Sequence, residues 1–531
     1  MTDHGFAGRV RVEFGDFQTP PDLASSLCLL LRDLGCRPAS IIEPTCGTGA
    51  FVRASLEAFA EVAHVEAADI NTAHLEWLTS SLASISAGER VSVQVADFFQ
   101  HNWRQIVAKL PEPVLIIGNP PWVTNSGLGV LGSGNLPEKS NLDGLRGIEA
   151  LTGKSNFDIS EWMLRQNIEW LRGTTGMLAV LCKTAVARKV LQWAWRQRAP
   201  IGSASLYRID AKKHFAVSVD ACFLVVQTGV PNLEATCLDY PSLQASAPST
   251  RFGFRDDQLL ADVDAYNRLR HLRARGLAGW RSGVKHDCSK VFEFGRDSGS
   301  LRNGLGEMVE LEEAVVFPLL KSSDLANRRS PTRWLLVPQR QVTDDPSRLS
   351  TSAPNAWRYL NSHAALLEQR SSSIYRGRPP FSIFGIGPYS FAPWKVAISG
   401  LYKRLSFTRV APHEGKPVLF DDTCYFFPCE TEEEVDTLMR LLESRPALEL
   451  LSSLIFWDAK RPITAAVLNS LDLSKLSQML GETSLSARIL MHRQLVERTA
   501  DQQQFLLRES AAGYHGKAAA TVGAARGPTT R

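Results

Sequence analysis

Four consecutive apolar residues, Val114-Leu115-Ile116-Ile117, run through Gly118 into Asn119-Pro120-Pro121-Trp122. A continuous apolar run of this length suits a buried strand of a parallel sheet. Neither proline carries a backbone N–H. The turn therefore presents the Asn119 side-chain oxygen and the Pro120 carbonyl with few competing donors nearby. Trp122 adds a flat apolar face. Two acceptors beside an aromatic plane suit a planar ring that bears an exocyclic amine.

The chain up to this point alternates strands and helices. Residues 23–34 are apolar at helical spacing and open after Thr19-Pro20-Pro21-Asp22. The pattern predicts strands at 40–42, 62–69, 91–95 and 114–117, with helices at 50–61 and 75–82 between them. Further on it predicts helices at 159–171 and 185–198, and strands at 176–182, 205–209 and 221–227. Repeated strand–helix units imply an open, doubly wound α/β sheet. Residues 123–156 are rich in Gly, Ser and Asn and are expected to form a long functional loop.

A chain of 531 residues is too long for one core and implies at least two domains. Around 230–250 the periodicity dissolves into Pro, Ser and Ala, which suggests a boundary, and a helix is expected at 258–275. Beyond it, short β-like runs at 334–337, 395–399 and 424–427 precede helices at 431–443 and 447–454. Thr431 and Glu434 have capping-box spacing. The tail after about Ser510 is Ala/Gly-rich and is expected to be disordered. No apolar run approaches the roughly 20 residues that span a bilayer, and residues 1–12 lack a signal-peptide core, so a cytoplasmic protein is expected. Nine cysteines without CxxC or paired-His spacing indicate neither a zinc site nor a disulfide framework. No metal is expected.

Net charge is only +4, yet residues 321–420 hold 15 Lys/Arg against 5 Asp/Glu, leaving −6 for the rest. A local +10 suggests a surface that faces a polyanion, although a solvated basic face has the same composition. Within it, Arg328, Arg329, Arg333, Arg340, Arg376 and Arg378 interleave with Trp334, Tyr375, Phe381 and Phe384. Cations for phosphates, with aromatic and arginine groups for bases, fit contact with double-stranded DNA.

Between the first strand and its helix lies Glu43-Pro44-Thr45-Cys46-Gly47-Thr48-Gly49. Its glycines let backbone approach a ligand, at the strand end where doubly wound folds bind nucleotides. Asp69 closes the next strand, where a carboxylate accepts from ribose hydroxyls. Asp97 closes the third and could receive an adenine amino group, with Phe98 packing on the ring. Each acid alone equally fits a helix cap. Their order, followed by Asn119 to Trp122, is what points to one site.

These motifs resemble the adenine-N6 DNA methyltransferases of restriction-modification systems, gamma class, TaqI-like. Phe14 to Pro20, with Thr19, resembles the motif that contacts the cofactor's methionine end. Glu43, Thr45, Gly47 and Gly49 resemble the turn that wraps S-adenosyl-L-methionine. Asp69 matches the ribose-binding acid, Asp97 and Phe98 the adenine-binding pair, and Asn119-Pro120-Pro121-Trp122 the catalytic tetrapeptide, more often written with tyrosine. Lys213-His214-Phe215 resembles the motif whose Phe packs on the flipped base, so Trp122 and Phe215 are the expected stacking pair. The resemblance runs from about residue 14 to 228, and more loosely includes Val316 to Leu325.

The resemblance implies a class I S-adenosylmethionine-dependent methyltransferase domain, Rossmann-like, at 1–235. A connection at 236–290, a mixed α+β target recognition domain at 291–480 and a C-terminal helix and tail at 481–531 complete the expected chain. Arg328, Arg329, Arg333, Arg376 and Arg378 are the expected DNA contacts. Such a chain would act as a monomer, with any cognate restriction endonuclease a separate protein. An RNA or protein-glutamine methyltransferase shares the Asn-Pro-Pro-aromatic site, and a non-catalytic DNA-binding relative shares the fold. The long basic second half favours DNA over the former, and the intact Asn119, Asp69 and glycines oppose the latter.

Overall fold

The structure, a computed structural model, describes residues 18–122, 158–230, 234–274, 279–297 and 299–482. The Gly/Ser/Asn stretch after Trp122, the first residues of the Phe14–Pro20 motif and the tail beyond 482 lie outside them. The chain divides into two compact units, 1–264 and 265–531.

The first unit is built on one ten-stranded sheet. Helix α1 (Pro21–Asp33) opens with proline in its first turn and buries Leu23, Ala24, Leu27, Cys28 and Leu31, spaced for one helical face. Strand β1 (Ser40–Glu43) is buried along its whole length. Helix α2 (Ala50–Ala58), β2 (His64–Asp69), α3 (Thr72–Leu82), β3 (Val91–Val95), α4 (Trp103–Val107) and β4 (Val114–Gly118) follow. After residue 158 come α5 (Ile159–Trp170), β5 (Gly176–Lys183), α6 (Thr184–Arg196), β6 (Ile201–Ile209), α7 (Ala211–Phe215) and β7 (Ala221–Thr228).

Strands β3, β2, β1, β4 and β5 lie side by side and parallel, and β7 runs antiparallel between β5 and β6. The order reverses between β1 and β4. That is the switch point at which a doubly wound sheet opens a crevice beyond its strand ends. Ile42 of β1 is in register with Glu66 of β2 on one side and Ile116 of β4 on the other. Glu43, Asp69 and Asn119 therefore emerge at neighbouring strand ends.

Two expectations are corrected. The Pro/Ser-rich stretch does not leave the first unit at 235. Strands β8 (Thr236–Tyr240), β9 (Thr250–Arg255) and β10 (Gln258–Leu260) extend its sheet, with β8 parallel to β6. Their short, half-buried pattern carries little periodicity because they form the sheet's far edge. The helix expected over 258–275 is in fact β10 and then a helix of only Val263–Leu269.

The second unit holds two sheets. The larger runs in the order Met308–Val309, Ser300–Asn303, Glu293–Asp297, Arg333–Leu336, Val316–Leu320, Leu419–Phe420. The smaller runs Arg281–Ser282, Cys424–Cys429, Trp394–Ser399, Thr408–Val410. Helix Glu432–Leu442 is capped as its spacing predicts, with Thr431 Oγ1 accepting from the Glu434 N–H at 3.3 Å. The Glu434 carboxylate accepts from the Glu430 N–H at 2.7 Å, one residue further out than the usual box. No helix among the described residues is long and apolar enough to cross a membrane.

Candidate active site at the strand ends

The turn after β1 is held by its neighbours. Gly47 and Gly49 adopt φ of +51° and +75°, in the left-handed region that disfavours a side chain. A Cβ at Gly49 would lie 2.3 Å from Leu78 Cδ1, and one at Gly47 2.5 Å from Gln18 Oε1. Asp69 Oδ2 accepts from the Gly47 N–H at 2.8 Å, and Oδ1 from the Asn71 N–H at 2.8 Å. Two of the roughly four acceptor positions of a carboxylate are thus used to shape the turn, and two remain for a ligand's hydroxyls. Gln18 Oε1 accepts from both the Thr48 N–H and its hydroxyl at 3.0 Å. That bond ties the chain beside half-buried Thr19 to the glycine turn. Thr45 is half-buried on the same turn.

Glu43 is 3% exposed, and its Oε2 has no hydrogen-bond partner. Burial raises its carboxyl well above the ordinary value, and the nearby Asp69 adds to the rise, against a lowering by the Val52 N–H and by Arg53. A buried, half-satisfied carboxyl at a ligand-binding strand end suits a cationic partner. The Cys46 thiol beside it is also pushed up by burial, so it packs rather than reacts.

Asp97 and Phe98 are placed differently from the expectation. Asp97 Oδ1 accepts from the Phe99 N–H and Oδ2 from the Gln100 side chain, each at 2.9 Å. Phe98 is 7% exposed, with its ring centroid 4.9 Å from that of Trp170 and 6.1 Å from that of Trp162. Ile70, next to Asp69, is instead 53% exposed and offers an apolar face that the sequence reading passed over.

At the end of β4, Pro120 is buried, Pro121 and Asn119 are half-buried, and the Asn119 side-chain oxygen is screened from solvent. An acceptor away from bulk water makes a stronger hydrogen bond. Trp122 and Phe215 are 7% and 8% exposed and pack edge to face on each other at 5.3 Å and 67°, within the core of the first unit. Trp122 Nε1 donates to the Leu181 carbonyl at 3.4 Å. Its own carbonyl accepts from Lys183 Nζ at 3.0 Å, and that ammonium also meets Asp158 Oδ2 at 2.7 Å. The sequence reading missed Lys183 and Asp158. The one signal was a lysine closing an otherwise apolar strand.

In the second unit the arginines and aromatics separate. Trp334, Phe381 and Phe384 are 3%, 5% and 6% exposed, so they are core residues rather than faces for bases. Arg333 is paired with Asp324 at 2.7 Å. Arg340 covers Phe391 with its guanidinium at 4.3 Å. Arg328, Arg329 and Arg376 are exposed and Arg378 half-exposed, and no ion pair among the described residues engages any of the four. The local charge excess is also smaller than the composition implies. Lys321 pairs with Glu293, Lys416 with Glu313 and Arg409 with Asp436, all acids outside the 321–420 window.

A glycine turn at the switch point, two acids on adjoining strand ends and an Asn-Pro-Pro-aromatic exit from the fourth strand gather at one edge of a doubly wound sheet. The chain is 41% identical over 475 residues to the type II methyltransferase M.NspV of Nostoc sp., a match covering 89% of this chain and 98% of that one. It belongs to the family of type II methyltransferases, and S-adenosylmethionine is its expected cofactor. No family model matches the chain. Among solved structures it is similar to the type IIL restriction-modification enzyme MmeI in complex with DNA, at 12% identity and a TM-score of 0.45, over 94% of this chain and 79% of that one. A putative class I S-adenosylmethionine-dependent methyltransferase from Listeria monocytogenes is similar at 16% identity and a TM-score of 0.29, over 43% and 67%.

Proposed function

We propose that this chain methylates N6 of an adenine flipped out of duplex DNA, as the modification enzyme of a restriction-modification system in the cytoplasm. The observation that carries the reading is the exit of Asn119 and Pro120 from β4 directly beside the ends of β1 and β2, where Glu43 and Asp69 stand.

Gly47 and Gly49 let the turn pack closely on Gln18 and Leu78, where any Cβ would clash, and this tight turn would present its backbone to a nucleoside-bearing cofactor. Asp69 would receive the ribose hydroxyls, Ile70 and the edge of Phe98 would flank the adenine, and Asp97 would lie near its amino group. The orphaned Glu43 oxygen suits the ammonium of the methionine end, near Thr19 and Thr45. S-adenosylmethionine supplies an already activated methyl group when bound. The protein's task is to make the target amine a nucleophile. The N6 lone pair of adenine is delocalised into its ring. Accepting both N6 hydrogens on Asn119 Oδ1 and the Pro120 carbonyl favours a pyramidal nitrogen whose lone pair is free for in-line attack. Placement and acceptor electrostatics then govern the rate.

A base held between two ring faces would need them about 7 Å apart, twice the ~3.5 Å carbon contact distance. Trp122 and Phe215, in contact with each other at 5.3 Å and 7% and 8% exposed, would have to move apart for either to stack on a base. The second unit would carry target recognition over 291–480. Arg328, Arg329, Arg376 and Arg378 are its candidate phosphate contacts, and the internally paired Arg333 drops behind them. The chain would act as a monomer beside a separate nuclease. Sequencing DNA from cells that express the chain, with modified-base detection, tests the reading. N6-methyladenine at one short motif is expected. Modified cytosine instead, or no modification, overturns it.

A further inference from the structure

Three elements converge on one ammonium. Lys183 is the last residue of β5, which lies parallel to β4 with Val180 in register with Gly118. Its side chain reaches across to the exit of β4, where Nζ donates to the Trp122 carbonyl at 3.0 Å. The same Nζ meets Asp158 Oδ2 at 2.7 Å. Asp158 is itself fixed as the cap of α5, with Oδ1 accepting from the Ser160 N–H at 3.1 Å and its hydroxyl at 2.6 Å. Lys183 and Asp158 are 25% and 10% exposed at their side chains, so the pair is shielded from salt and water more than a surface bridge.

We propose that Lys183, with Asp158 as its counter-charge, is a positioning residue for methyl transfer. The inference rests on the reading of Asn119 to Trp122 as the acceptor turn. That turn is fixed upstream by the β4 ladder and internally by the two proline rings. Downstream, the carbonyl and the indole of Trp122 are both held from β5, by Lys183 and by the Leu181 carbonyl. Without the ammonium, the Trp122 carbonyl loses its tie to β5, and small misplacements of the acceptor turn cost large factors in rate. The counter-charge has its own purpose. The target nitrogen gains positive charge during transfer, and an uncompensated ammonium behind the turn would oppose it. Asp158 at 2.7 Å removes that opposition.

The test uses the full chain with tritiated S-adenosylmethionine and unmethylated bacteriophage DNA, measured as single-turnover rate, cofactor dissociation constant and melting temperature. Lys183→Met is expected to lower the transfer rate about 10- to 100-fold while cofactor affinity stays within about twofold. Lys183→Arg, which keeps the charge and the donors, should recover most of the rate. Asn119→Ala, run beside them, separates the two claims. A wild-type rate in Lys183→Met with an inactive Asn119→Ala overturns the positioning role and leaves the acceptor turn standing. A wild-type rate in Asn119→Ala overturns the turn itself. If Lys183→Met does not fold, Asp158→Asn reads the same link: a slowed rate at unchanged cofactor affinity supports it, and a wild-type rate overturns it.

Discussion

The two units of this chain declare themselves in different ways. In the first, Glu43, Asp69, Asp97 and Asn119 lie at or just past the ends of parallel strands, and β2, β1 and β4 lie side by side in the sheet. Parallel connection sends every strand the same way, so residues at successive strand ends gather at one edge whatever lies between them. Sequence order is then nearly spatial order. The second unit is mostly antiparallel, and its parallel pairings join residues as far apart as Leu319 and Leu419 or Val284 and Asp421. Its charges are paired over similar spans, as Lys416 is with Glu313. A composition window cannot see such partners. In the first unit, sequence order brings the motif residues to one edge of the sheet, whereas charge counts are poor guides in the second.

The largest effect that could break this contrast is at Asn119. Asn119→Ala would remove one of the two acceptors proposed for the target amine and should lower the transfer rate by about 10²–10³-fold or more. Cofactor affinity should stay within about twofold. Parallel loss of both, read by calorimetry and single-turnover assay, would make Asn119 a folding residue and weaken the strand-end argument.

Next come the arginines. Arg328→Gln, Arg329→Gln and Arg376→Gln together should reduce the dependence of log affinity on log salt by about 2.7, at roughly 0.9 per phosphate contact. Arg333→Gln should leave that slope alone. It should instead cost stability, because Asp324, 5% exposed, loses its partner. A large salt-slope change from Arg333 and none from the exposed three would reverse the assignment.

A smaller effect is expected at Asp69. Asp69→Ala should weaken cofactor binding about 10- to 100-fold, since it removes both the ribose acceptor and the clamp on the Gly47 N–H. Asp69→Asn keeps one acceptor and should lose less. An unchanged dissociation constant in the alanine variant would take the acid out of the site.

What was legible follows from the physics of each signal. The strands through β7 and the longer helices could be read from periodicity, but the short helices Trp103–Val107 and Ala211–Phe215 could not. The hairpin from Thr236 to Leu260 could not, because edge strands carry weak alternation. The packing of Phe98 against Trp162 and Trp170 could not be read, since nothing local reveals those partners. Lys183 was missed because a single lysine at a strand end has no pattern, and its importance lies in partners 61 and 25 residues away.

The finest test of the contrast sets one buried titratable group from each unit against the other. Lys395 is 1% exposed with Nζ donating to the Ala392 carbonyl at 2.6 Å, and burial lowers its pKa to about 7, against small raises from Cys429 and Glu430. In the unfolded chain it keeps its proton to near its ordinary 10.5. The unfolded state thus binds more protons between these values, and stability should rise with pH across that window. Below it the burial penalty is fully present. Lys395→Met should therefore stabilise the protein by about 1–3 kcal/mol near pH 7 and lose that advantage toward pH 10, where the unmet Ala392 carbonyl remains its only cost. Glu43 has the opposite sign. Its raised carboxyl gives stability that is present below its unfolded value and fades as pH climbs through the folded one. Glu43→Gln should remove that fading and, if its partner is the cofactor's ammonium, also remove a rise of cofactor affinity with pH. Urea unfolding of both variants at pH 6, 7.5 and 9.5 reads the two slopes. The same sign in both would mean that one of the two groups is not buried as described.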